Sequence, residues 1–244
     1  MKHVELIVDK KRLKGALVFP KKLKEKNPAV LFIHGWTSEK ERSYQYANSL
    51  AKLGYISFLF DMRGHGESEG DIHTATTKEF LDDVIAAYDY FVTVKGVDRE
   101  NMSVVGSSFG GCLGAILTAK RNVKRLALRV PADYPNDAFH KPKMQTIKRE
   151  NSAILTWRMQ TRSPSETFAL EAVAHFNGEI LIIESGKDDV VPHETIQNYA
   201  NAVKDRRKLT HVVMKNAPHS IKEGPFRDKV EKILVNWFKK SYKD

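Results

Sequence analysis

Eight short apolar runs constrain what this chain can fold into. VELIV (4–8), GALVF (15–19), AVLFIH (29–34), ISFLF (56–60), MSVVG (102–106), RLALRV (125–130), EILIIE (179–184) and THVVM (210–214) are rich in Val, Ile, Leu and Phe and are of strand length. Most are continuous rather than alternating, the pattern of strands covered on both faces of a parallel sheet. Helical patterns lie between them. In TTKEFLDDVIAAYDYFV (76–92), Phe80, Leu81, Val84, Ala87, Tyr88 and Phe91 share one face, and Thr76 with Glu79 has capping-box spacing. SPSE offers a second box, with Ser163 as N-cap, Pro164 at the first helical position and Glu166 three residues after the cap. A closing helix shows Phe226, Val230, Ile233, Leu234, Trp237 and Phe238 on one stripe.

Strand and helix alternate from residue 29 to the end. This predicts right-handed βαβ crossovers in a mostly parallel eight-stranded sheet with helices on both faces, an α/β fold. The first two runs, with little chain between them, predict an antiparallel edge hairpin. A chain of 244 residues with 41% hydrophobic and 29% charged residues suits one domain, residues 1–244. Only residues 131–162 break the rhythm. That stretch is longer than a strand-to-helix link and carries helix-like apolar spacing at Ile147, Ile154, Leu155 and Met159, so a small cap insertion is expected there.

Composition narrows the function. No apolar run approaches the ~18 residues that span a bilayer, and charges interrupt what would be a signal peptide's apolar stretch, so a cytoplasmic location is expected. Cys112 is the one cysteine, which excludes an intrachain disulfide and a thiolate metal cluster. The net charge of +10 is dispersed over many short basic groups, with no aromatic-interleaved stripe or nucleic-acid motif, so nucleic-acid binding is not expected.

Gly106-Ser107-Ser108-Phe109-Gly110 fits the G-x-S-x-G nucleophile elbow, between the run MSVVG and the helix-like FGGCLGAILTAK. The elbow turns sharply, so the residues two positions either side of the nucleophile must be small. Ser108 has Gly106 and Gly110 at those positions; Ser107 would have Val105 and Phe109. Ser108 is therefore the nucleophile and Ser107 at most a supporting hydrogen-bond partner. A serine hydroxyl needs a base oriented by an acid. Downstream, Asp188 and Asp189 follow a strand and His219 follows the last strand, in the order Ser, acid, His that this elbow takes. His175, His193 and His211 fall in a helix, at a helix start and within a strand, badly placed to reach the elbow. Oxyanion donors are expected from the backbone N–H of Phe109, at a helix N-terminus, and of Trp36, in the loop after LFIH. His34 is expected to be structural. No H-E-x-x-H is present, and neither metal nor cofactor is called for.

These motifs together resemble an α/β-hydrolase of the serine-esterase and lipase-like group: HGWTS (34–38), DMRGHGES (61–68), GSSFGG (106–111), SGKDDVVP (185–192) and APHS (217–220), in family order over nearly the whole chain. The loops around HGWTSEKERS and DMRGHGESEG are similar to those of small-capped bacterial feruloyl or cinnamoyl esterases and of monoacylglycerol-lipase-like enzymes. The resemblance implies Asp188, four residues before the proline of D-x-V-V-P, as the acid, with Asp189 the fallback. It also implies the backbone N–H of Trp36 and Phe109 as oxyanion donors, and a structural role for Arg63, His65 and Ser68. There is no HGGG run, which counts against the lipases that carry it.

Ester hydrolysis on a small-molecule substrate through Ser108, Asp188 and His219 is the expected activity. A thioesterase, acyltransferase, amidase or peptidase would use the same residues, and a hydrolase-fold binding protein would carry them without turnover. In residues 131–162, Tyr134, Phe139, Met144, Trp157 and Met159 are candidates for an acyl or aryl pocket or, for Trp157 and Met159 above all, for the insertion's own core. HKPKMQTIKRE (140–150) suggests either an anionic substrate or a solvated helix face. Oligomeric state is left open, a homodimer included.

Overall fold

The computed structural model describes residues 1–148 and 151–240. The side chain of Ile147, with Arg149 and Glu150 of the basic stretch, lies outside the described residues. The chain opens with β1 (Lys2–Val8) and β2 (Lys11–Val18), paired antiparallel through a two-residue turn in which Asp9 and Lys10 both take positive φ (47° and 64°). A turn of that hand matches the twist of the two strands. Then follow β3 (Asn27–Ile33), α1 (Tyr44–Lys52), β4 (Ile56–Phe60), α2 (Thr77–Phe91), β5 (Val97–Ser107), α3 (Phe109–Thr118) and β6 (Arg125–Arg129). Beyond residue 130 come α4 (Lys143–Lys148), α5 (Asn151–Arg158), α6 (Phe168–His175), β7 (Glu179–Lys187), α7 (His193–Ala202), β8 (Leu209–Pro218) and α8 (Pro225–Lys240).

The eight strands form one sheet in the order β1-β2-β4-β3-β5-β6-β7-β8, with β1, β2 and β4 paired antiparallel and every pair from β4 onward parallel. β3 and β4 are buried along their whole length, as their continuous apolar runs require; the edge strand β8 is exposed at most positions. Each buried strand feeds two cores. Ala29, Leu31 and Ile33 pack with Phe80, Val84 and Phe91 of α2 and with residues of α3, α6 and α7, whereas Val30 and Phe32 pack with Leu50 of α1 and with Val230, Leu234, Trp237 and Phe238 of α8. α1 and α8 thus cover one face of the sheet, and the other helices cover the opposite face.

The Thr76–Glu79 box closes as expected: the Glu79 N–H donates to Thr76 Oγ1 (3.2 Å) and the Thr76 N–H to Glu79 Oε2 (2.8 Å). The second box forms as well, the Ser163 N–H donating to Glu166 Oε1 (2.5 Å), but the helix it starts is short. Ser163 and Glu166 flank a single 3-10 turn (Pro164–Glu166), and Thr167 returns to extended backbone (φ −136°) before acting as the true N-cap of α6, accepting from the Leu170 N–H. The Thr167 hydroxyl also donates to the buried Asp133, at 3.0 Å. Among the described residues, no helix is long and apolar enough to cross a membrane.

Candidate active site

β5 delivers the chain to Ser108, which takes φ 53° and ψ −116° and turns directly into α3. That conformation is costly for a residue with a side chain, by about 1–3 kcal/mol, and persists only where the surroundings fix it. Here they do. The Ser108 N–H donates to the Arg129 carbonyl (2.9 Å), and the Ser108 carbonyl accepts from the N–H groups of Gly111 (2.9 Å), Ala132 (3.1 Å) and Cys112 (3.2 Å). The glycine frame is a steric demand. A Cβ on Gly106 would stand 2.3 Å from the Gly110 carbonyl oxygen, and one on Gly110 would stand 2.3 Å from the carbonyl oxygens of both Ile33 and His34.

The loop after β8 brings His219 over this turn, with its Nε2 3.1 Å from Ser108 Oγ. Its Nδ1 lies 2.7 Å from Asp188 Oδ2, in the loop after β7. The other Asp188 oxygen accepts from the Val190 (2.9 Å) and Val191 (2.7 Å) N–H groups, which fixes the carboxylate's orientation. Between the two adjacent acids, the geometry selects Asp188; Asp189 is exposed. The other downstream histidines are occupied elsewhere. His175 bonds its own helix at the Glu171 carbonyl, and the buried Glu184 holds both His193 (2.6 Å) and His211 (2.8 Å).

Both segments expected to supply oxyanion donors lie beside Ser108. Phe109 is the first residue of α3. The loop after β3 runs so close that a Cβ on Gly35 would stand 3.4 Å from Ser108 Cβ. Among the described residues, neither the Trp36 nor the Phe109 N–H donates to a protein acceptor. The two rings meet edge to face, with centroids 5.7 Å apart.

Two histidines stitch this loop to the one after β4. His34 donates from Nδ1 to the Gly35 carbonyl (2.7 Å) and accepts the Met62 N–H at Nε2 (3.0 Å). His65 donates to the Arg63 carbonyl (3.0 Å) and accepts the Thr37 N–H (3.2 Å). Burial pushes His34 down to about 3 and lowers His65, so both rings stay neutral and keep one acceptor nitrogen each. Arg63 is buried against Asp83, with Glu79 and Asp9 at the rim. Ser68 Oγ donates to the Asp61 carbonyl at 2.7 Å. All three residues of DMRGHGES that were expected to be structural have protein partners.

A pocket of about 290 Å³ opens beside Ser108 and His219. It runs toward α1 and α8, over Val105, Ala127, Ile183, Val230 and Leu234. None of Tyr134, Phe139, Met144, Trp157 or Met159 lines it. Tyr134 is buried, Trp157 is half-buried beneath the Arg162 guanidinium (3.7 Å), and Met159, expected in a local core, is 55% exposed. Lys143 of the basic stretch is not a solvated residue either: it is wholly buried, its amine over the Phe109 and Tyr134 rings, and burial holds its pKa well below the ordinary lysine range.

Arg129 escaped the sequence reading. In register with Ser107 across the β5–β6 pair, it donates from Nη1 to Ser107 Oγ (2.9 Å) and from Nη2 to the His219 carbonyl. The one available signal was a charged residue ending an apolar strand one position before the bend at Val130, whose φ is 41°. Among the described residues, no three His, Cys, Asp or Glu side chains are grouped to hold a metal ion.

Sheet order, elbow and the loops after β3, β7 and β8 define an α/β-hydrolase fold. The chain belongs to the Hydrolase_4 family, described as serine aminopeptidase, S33, whose model matches residues 24–168. Palmitoyl-protein thioesterase ABHD10, mitochondrial, of Pongo abelii is 27% identical over 223 residues, covering 83% of this chain and 70% of that protein. Est1E of Butyrivibrio proteoclasticus, solved with ferulic acid bound, aligns with a TM-score of 0.76 at 18% identity over 99% of this chain and 100% of its own. The esterase EaEST of Exiguobacterium antarcticum aligns with a TM-score of 0.68 at 15% identity, covering 96% and 97% of the two chains. These structural likenesses are likenesses of fold.

Proposed function

We propose that this hydrolase cleaves carboxylic esters through an acyl-enzyme on Ser108. The observation that carries the reading is the continuous relay Asp188–His219–Ser108, at 2.7 and 3.1 Å. Ser108 Oγ attacks the ester carbonyl carbon while His219 Nε2 takes its proton, and Asp188 holds the imidazole in the tautomer this requires. The N–H groups of Trp36 and Phe109 face the oxygen on which charge develops. The carbon–oxygen bond then breaks, and the alcohol leaves with the proton from His219. Water, deprotonated by the same histidine, attacks the acyl-enzyme and releases the acid and Ser108.

A second reading, thioester hydrolysis, is favoured by the similarity to a palmitoyl-protein thioesterase and needs no change in the relay. The family description favours an amide bond instead. Rates with one short acyl group presented as aryl ester, alkyl thioester and arylamide separate the three. The proposal expects the oxygen ester to be turned over with the highest kcat/KM; turnover of the arylamide alone contradicts it. Residues 131–162 form the cap in this proposal, α4 and α5 being its helices, and the enzyme acts as a soluble cytoplasmic protein on a small ester. The mitochondrial address in the relative's name is that protein's own.

A further inference from the structure

The pocket beside Ser108 is lined by both apolar and cationic side chains. Arg129, Arg42 and Lys222 all line it, with Tyr46 between α1 and the sheet, and no Asp or Glu does. Among the described residues, none of these three cations is ion-paired to a carboxylate. The two acids whose charge is felt there are already engaged: Asp188 holds His219, and Glu231 takes hydrogen bonds from Gln45 and Ser49. A guanidinium has five N–H donors. Arg129 uses two on Ser107 and the His219 carbonyl, which hold it still at the pocket wall. Taking a cation out of water without a counter-charge is costly, and burial alone lowers the Arg129 pKa. At a pocket that opens on a nucleophile, that cost is recovered by a ligand carrying the missing charge.

We propose, resting on the ester-hydrolase reading, that this pocket selects short esters carrying an anionic group, a carboxylate or a phosphate, bound by Arg129 with Arg42 and Lys222. The volume of about 290 Å³ suits a small acyl or alcohol group rather than a long lipid chain. The selecting cations come from the end of β6, from the turn before α1 and from the loop after His219. Residues 140–146 of the basic stretch contribute none of them.

Matched esters test this on the full chain. The mono-para-nitrophenyl ester of glutaric acid is compared with para-nitrophenyl pentanoate, and the butyrate ester of glycerophosphate with glycerol monobutyrate. The first pair places a carboxylate on the acyl side, and the second a phosphate on the alcohol side. At least one anionic ester is expected to exceed its neutral partner about tenfold or more in kcat/KM, with the advantage shrinking in about 1 M salt. Arg42→Gln combined with Lys222→Gln should cut that ratio at least about fivefold, mainly through KM. Arg129→Gln should cut it too while also lowering kcat on the neutral esters, because the tie to the His219 loop is lost. Neutral esters preferred in both pairs, or a ratio unmoved in the double variant, overturns the inference while leaving ester hydrolysis standing. No turnover of any of the four esters, with no covalent labelling of Ser108 by a fluorophosphonate, overturns the ester-hydrolase reading and the inference with it.

Discussion

Two adjacent serines are given unequal surroundings by atoms that belong to neither. Ser108 occupies the strained turn because Gly106 and Gly110 leave it room, and Ser107, the last residue of β5, lines the same pocket but accepts from Arg129, whereas Ser108 meets His219. Ser108→Ala should lower kcat by at least ~1,000-fold with the fold intact, whereas Ser107→Ala should cost less than ~10-fold. Steady-state kinetics on a short aryl ester, with circular dichroism as the folding control, checks both; the reverse order of effects would place the elbow one residue early. Most of this constellation was legible in the sequence, because an elbow glycine frame and the order Ser, acid, His are local patterns. The choice between Asp188 and Asp189 was not derivable from residue type, since both stand in one loop. It is made by the Val190 and Val191 N–H groups, which lock Asp188 in place. Arg129 was hidden for a different reason. Its partners, Ser107 and His219, are 22 and 90 residues away in sequence, and only the sheet register brings them together.

At the scale of elements, amphipathic stripes were readable wherever a helix packs on the sheet, as in α2 and α8, since one face meets one continuous core. The segment from 131 to 162 obeyed no such rule. Its polar residues turn inward as well as its apolar ones: Asp133 is buried, accepting from the Tyr134 N–H (2.9 Å) and the Thr167 hydroxyl (3.0 Å). Burial pushes Asp133 up to about 6 from 3.8 in an unfolded chain, the hydrogen bonds and Arg158 offsetting only part of it. The native state therefore holds the Asp133 proton more tightly than the unfolded chain does. The stabilisation this gives is complete below about pH 4 and is lost as pH rises through about 6. Asp133→Asn should then stabilise the protein at pH 7 by roughly 1–3 kcal/mol, with the gain shrinking toward pH 4. Urea unfolding midpoints of both proteins at the two pH values provide the comparison; an equal difference at both would refute the assignment. The second capping box forms where expected but starts only a 3-10 turn, after which Thr167, extended and bonded to this same buried carboxylate, caps α6.

For the whole molecule, the alternation of runs and stripes was enough for an α/β sheet covered on both faces, since burial on both sides leaves a compositional trace in every central strand. Strand order left no such trace. β4 lies between β2 and β3, and that placement depends on which crossovers pack, not on any one segment's composition. The pocket was equally invisible, assembled from β3, β5, β6, β7, α1, α8 and the loop of His219. A dispersed charge of +10 read as a solvated surface because sequence cannot show that three of the cations line one pocket. The account's central claim is that these parts converge to make one hydroxyl nucleophilic. Incubation of the folded chain with a fluorophosphonate, followed by peptide mass mapping, tests it most directly. The account predicts stoichiometric label on Ser108, abolished by Ser108→Ala and strongly slowed by His219→Ala. A folded protein that takes no label, or takes it on another residue, would contradict it.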